Sequence, residues 1–114
     1  MPNAFMTIAE VDPFPATAAR VGLAEDERQE LVSYLALNPT VGDVIIGTGG
    51  LRKLRWAGRS KGKRGGYRVI YYFFNESLPL YLLAVYPKNQ QVDLTSDQRR
   101  RLTALATELK AVAT

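Results

Sequence analysis

Apolar positions recur along this chain at helical spacing, then in alternation, then at helical spacing again. "AFMTIA" at 4–9 is a short, mostly apolar run that suits either a first strand or a frayed start, and Pro13 and Pro15 end it. "ATAARVG" at 16–22 reads as a short helix stopped by Gly22. From Ala24, "AEDERQELVSYLALNP" places acids in the first turn, where the helix dipole favours them, and sets Leu31, Tyr34 and Leu35 along one face. Asn38-Pro39 stops this helix, because a residue before proline is pushed out of the α region.

"TVGDVIIGTGG" then reads as an apolar connector ending in a turn. Three strand-like runs follow, at Leu51–Ala57, Tyr67–Phe74 and Leu80–Tyr86, rich in aromatic and β-branched residues. Their short connections predict antiparallel neighbours, hence a β-meander over 51–86. Thr95 with Gln98 three residues on forms a capping box, and Leu102, Leu105, Leu109 and Val112 mark the stripe of a closing helix. The pattern predicts an α+β fold with N-terminal helices, an antiparallel meander and a C-terminal helix, in one domain spanning residues 1–114.

The chain contains neither cysteine nor histidine. That removes disulfides, thiolate or imidazole metal sites and the usual neutral-pH proton carrier, so no metal and no cofactor is expected. With no signal-peptide pattern and no apolar run of membrane-spanning length, a cytoplasmic protein is expected. The net charge of +4 is unevenly placed. Up to Gly47 only Arg20 and Arg28 oppose seven acids, whereas eight Lys and Arg residues stand between Arg52 and Arg68. A split of this kind suits an acidic partner such as a phosphate backbone.

The glycines of the connector do not form a dinucleotide fingerprint, since Arg52 stands where the third glycine belongs. "GRSKGKRGG" at 58–66 is no P-loop either, because Arg64 follows Lys63. A glycine-rich loop carrying Arg59, Lys61, Lys63 and Arg64 instead suits a nucleic-acid backbone. On the flanking strands, alternation sets Lys53 and Arg55 on one face with Leu54 and Trp56 on the other, and groups Arg68, Ile70 and Tyr72. If Arg68 turns towards Lys53 and Arg55, the sheet presents a cationic cluster that Lys88 can join. Arg52, Trp56 and Tyr86 are candidate RNA contacts beside the loop cations, because unpaired bases stack on rings and guanidinium planes. Tyr71, Tyr72, Phe73 and Tyr81 are read chiefly as core. Such a cluster can stabilise a phosphorane, and a lysine crowded by cations can serve as acid or base.

"GTGGLRKLRW", "GKRGGYRVIYY" and "YPKNQQVDLT" resemble the RelE/HigB-type toxins of bacterial type II toxin–antitoxin systems, the HigB-like branch in particular, over about Leu31 to Leu102. The resemblance implies a ribosome-dependent mRNA endonuclease that enters the ribosomal A site and inhibits translation. It implies as partners the ribosome, mRNA and a cognate HigA-like, helix-turn-helix antitoxin. Carried over by position, the catalytic cations fall on Lys53, Arg55, Arg68 and Lys88. RelE members often carry a base-stacking tyrosine near the C-terminus; "QQVDLTS" has none, and Tyr86 and Trp56 are the candidates to substitute for it. The alternatives are an inactive module of the same fold that binds RNA or an antitoxin, and a structural protein whose basic face meets acidic protein.

Overall fold

The computed structural model describes residues 6–57, 66–91 and 93–113. In chain order the elements are β1 (Ile8–Glu10), α1 (Phe14–Arg20), α2 (Glu25–Leu37), β2 (Asp43–Val44), β3 (Leu51–Trp56), β4 (Tyr67–Tyr72), β5 (Leu80–Pro87) and α3 (Ser96–Ala113). The strands form one sheet in the order β1-β5-β4-β3-β2. From β2 to β5 it is the expected antiparallel meander, and β1 adds a parallel edge beside β5. The α+β class therefore holds, with one alternative settled and one correction. The first short run, open between a strand and a frayed start, is a strand and makes the sheet mixed. The connector before Leu51 contributes the edge strand β2 rather than a turn alone.

Each helix boundary has a local cause. Helix α1 starts at Phe14, earlier than the pattern suggests, because Pro15 sits in its first turn, where a missing N–H removes no helical hydrogen bond. Helix α2 opens with Glu25, Asp26 and Glu27, and the Glu27 carboxylate accepts from Ala24 N at 3.3 Å. For α3 the capping box forms: Thr95 N donates to Gln98 Oε1 at 2.9 Å, and Gln98 N donates to Thr95 Oγ1 at 3.1 Å.

The sheet separates two cores. On one face Phe14 and Ala18 of α1 and Leu31 and Leu35 of α2 pack on Tyr67, Val69, Tyr71, Leu80 and Leu82. Each fully buried leucine there contributes about 1.5–3 kcal/mol. On the other face Leu51, Ile70, Tyr72 and Leu83 meet α3 through Ala106, with Leu102, Leu105 and Leu109 partly buried around them. Val112 departs from the expected stripe. It is 86% exposed.

Two details fix the meander. Between Ile70 and Tyr71 the β5 partner jumps from Ala84 to Leu82, leaving Leu83 as the extra residue of a bulge. Strict alternation back from Tyr86 would put Leu82 and Leu80 on the α3 face; the bulge returns them to the first core. Tyr71 then reaches through that core to the connection between α2 and β2. Its hydroxyl donates to Pro39 O at 2.9 Å and accepts from Gly42 N at 2.8 Å. Any side chain on Gly42 would meet the Tyr71 ring and hydroxyl at 2.8 Å and Lys53 O at 2.9 Å.

Candidate nucleic-acid interface

The site is built on the α3 face of β3, β4 and β5. Register pairs Arg55 with Arg68 and Arg68 with Tyr86, so these three side chains form a row across the sheet, and Lys53 opposes Ile70 one step along. Alternation thus brings Lys53, Arg55 and Arg68 to one face. Like charges directly opposite on neighbouring strands are destabilising. The Arg55–Arg68 pairing is therefore costly to the free fold and favourable to an anion laid across it. Arg68 is half-buried, and its buried Nε has no hydrogen-bond partner among the described residues.

Beyond the end of β5, Lys88 N donates to Gly66 O at 3.0 Å, which carries the pairing one residue past the strand and holds the backbone of Lys88, half-buried, two residues along the chain from Tyr86. Gly66 must be glycine. Its φ is +63°, and a Cβ would meet Trp56 O at 2.4 Å.

Next to the row lies a cleft of about 320 Å³ lined by Lys53, Ile70, Tyr86, Asp93, Leu94 and Arg99, with Val44, Ile45 and Ile46 from the β2 side. Two of these groups were missed by the sequence argument. Asp93 makes an ion pair with Lys53, its Oδ1 3.7 Å from Nζ, and puts a carboxylate among the cations. Arg99, in the first turn of α3, donates to Ile46 O and ties that helix to the far wall of the cleft. Asp93 carries no sequence signal beyond lying in the "VDLTS" run; Arg99 is one of three consecutive arginines, and only the helix phase singles it out.

Tyr86 is the aromatic wall of the cleft. Burial pushes its hydroxyl above the ordinary value near 10, Arg68 opposes that shift, and Asp93 adds to it. At neutral pH the phenol is a hydrogen-bond donor.

The other candidates stand apart. Arg52 and Trp56 project from the opposite face of β3. Arg52 Nη1 donates to Thr40 O at 3.1 Å and Gly42 O at 2.7 Å, supporting the connection that Tyr71 also holds. Trp56 packs against Tyr34 of α2 with ring centroids 5.6 Å apart. Arg59, Lys61, Lys63 and Arg64 lie outside the described residues. Among the described residues no cluster of His, Cys, Asp or Glu could hold a metal ion, and no helix is long and apolar enough to cross a membrane.

No family model matches the sequence. Among solved structures, a mutant of the Escherichia coli toxin RelE in the free state is similar, with a TM-score of 0.60 at 12% sequence identity. The alignment covers 86% of this chain and 97% of that one. Identity this low speaks to architecture alone: the chain has a RelE-like α+β fold, with its cationic row and cleft on the α3 face of the sheet.

Proposed function

We propose that this single-domain chain is the toxin of a type II toxin–antitoxin system, of the HigB-like branch, and that it cleaves mRNA on the ribosome. The row Arg55–Arg68–Tyr86, beside a cleft holding Lys53 and Asp93, carries the reading. Facing arginines destabilise the free fold, and an anion bound across them offsets that cost. The sequence resemblance to the toxin family and the RelE-like fold support the same reading from independent directions.

The geometry supports a division of labour. The scissile phosphate lies over Arg55 and Arg68, whose guanidinium groups neutralise the charge that builds on the phosphorane. In a chain without histidine, the Asp93 carboxylate, 3.7 Å from Lys53 Nζ, accepts the proton of the attacking 2′-hydroxyl. Lys53 orients that carboxylate, and Lys53 or Lys88 returns a proton to the departing 5′-oxygen. The 2′-oxygen–phosphorus bond forms as the phosphorus–5′-oxygen bond breaks, leaving a cyclic phosphate, so one proton is taken and one is given. Tyr86 donates to a phosphate oxygen or faces the neighbouring base. Arg59, Lys61, Lys63 and Arg64 hold ribosomal or messenger phosphates from their loop, and Arg52 and Trp56 approach RNA only from the far side of β3. The toxin works in the cytoplasm and requires a neutralising partner, expected to be a HigA-like helix-turn-helix antitoxin.

The ion pair that engages Lys53 favours a second reading, an RNA- or antitoxin-binding module that no longer cleaves. One experiment separates them. Inducing the intact protein in bacteria should arrest growth, and primer extension on ribosome-bound message should show new 5′ ends that Arg68→Ala abolishes. RNA binding without new ends identifies the module; normal growth with confirmed expression and no RNA binding defeats both.

A further inference from the structure

Tyr86 and Leu94 have a cleft on each side. Behind the site, between α1, β5 and α3, lies a second cleft of about 500 Å³ that the chemistry above leaves unused. Tyr86 and Leu94 line both and form the partition between them. Its floor is apolar, including Leu83, the bulge residue of β5. Its rim carries Arg20 from the last turn of α1 and Arg101 and Gln98 from α3. Arg20 is one of only two cations up to Gly47, and it stands here rather than among the acids of α2.

We propose that the second cleft holds the nucleotide that flanks the cleaved phosphodiester in a single-stranded RNA, an inference that rests on the RNA-cleaving reading of the first cleft. The chemistry of the lining matches one nucleotide. An apolar floor and the Tyr86 ring receive a base face. The Gln98 Oε1 accepts from Thr95 N and from Gln91 Nε2 at 2.7 Å, so its Nε2 is the group turned over to a base-edge acceptor. Arg20 and Arg101 meet the phosphate. Neither arginine is held strongly: Arg20 reaches Thr17 Oγ1 at 3.5 Å, and Arg101 pairs with Asp97 at 2.6 Å in an exposed i,i+4 contact. Exposed pairs of that kind are worth little, so a phosphate displaces them readily. The strand would pass from Arg55 and Arg68 over Tyr86 to Arg20 and Arg101, and the partition would separate successive bases.

The test is binding of a fluorescein-labelled single-stranded hexaribonucleotide across a salt series, followed by anisotropy. Three proteins are compared: intact, Arg20→Ala/Arg101→Ala, and Lys53→Ala/Arg68→Ala, with circular dichroism checking that each is folded. Loss of two phosphate contacts should flatten the slope of log affinity against log salt by about 1.4 in the Arg20/Arg101 variant, at about 0.7 per contact with a single strand. Titrating the same RNA into labelled intact protein should move the Gln98 side-chain amide resonances. An unchanged slope in the Arg20/Arg101 variant, with binding lost in the Lys53/Arg68 variant, overturns the second cleft and leaves the RNA reading standing. No binding of the free RNA by the intact protein overturns the second cleft alone; the RNA-cleaving reading of the first cleft falls only by the growth and primer-extension experiment.

Discussion

At the scale of single residues, the informative side chain is the one whose sign is wrong. A surface built only to attract phosphate has no use for a carboxylate, yet Asp93 stands against Lys53 inside the cationic cleft and acts on Tyr86 electrostatically. If Asp93 served only to neutralise Lys53, removing it would help the protein bind RNA and cost nothing else. If it accepts the 2′-hydroxyl proton, removal must cost the chemistry. Asp93→Asn keeps the shape and deletes both charge and basicity, so the two roles separate. Cleavage of ribosome-bound message should fall by about 100-fold or more, the lower end of general-base effects. Affinity for single-stranded RNA should hold or rise, because a negative charge has left the phosphate site. Undiminished cleavage by the variant would return the proton transfer to Lys53 or Lys88.

At the scale of elements, the cationic row illustrates what the sequence makes legible. "KLRW" at 53–56 alternates without interruption, so the faces of that part of β3 are readable in advance, and Lys53 and Arg55 do part from Leu54 and Trp56. The α3 cap was equally plain, since Thr95 and Gln98 carry the whole motif. The bulge at Leu83 was not, because "LYLLAVY" is apolar on both faces of the sheet and has no alternation to break. Nor was the parallel pairing of β1, whose partner lies some seventy residues further along. Asp93 escaped notice because nothing local tells a turn aspartate that reaches a lysine forty residues away from one that faces solvent. The bond from Tyr71 to the α2–β2 connection was hidden too: an aromatic in a β run reads as packing. It is both packing and tether, and Tyr71→Phe tests the second part alone. The ring stays in the core while Pro39 O and Gly42 N lose their partner, which should cost roughly 1–3 kcal/mol in urea unfolding. A loss well under that range would mean that Arg52, bonded to Thr40 O and Gly42 O, holds the connection by itself.

For the whole molecule, the sheet divides charge as well as core. The acids at the start of α2 belong to the face packed by Leu31 and Leu35, while on the other face Lys53 and Arg99 line the cleft and Arg55 and Arg68 form the row across β3 and β4. Tyrosine links the two sides: Tyr67 and Tyr71 lie in the first core, Tyr72 in the second, and Tyr86 at the cleft. Burial raises all four hydroxyls above 10, chiefly by desolvating the phenolate. A group whose value is raised by folding stabilises the folded chain fully below its unfolded value, and that contribution is lost as pH climbs through the raised one. The unfolded chain therefore ionises first, near pH 10, and the equilibrium shifts towards it above that point. Stability in urea should gain no tyrosine penalty between pH 7 and 9, then decline steeply above pH 10, with the phenolate absorbance of these four tyrosines rising together with loss of the folded circular dichroism signal rather than ahead of it. Because four groups contribute, the decline should be steeper than one proton can produce. Replacing Tyr86 with phenylalanine should remove one share of that slope without flattening it, since Tyr67, Tyr71 and Tyr72 stay in place. Full phenolate absorbance in a protein that is still folded would show that the tyrosines are reached by water without unfolding, against the burial of their rings.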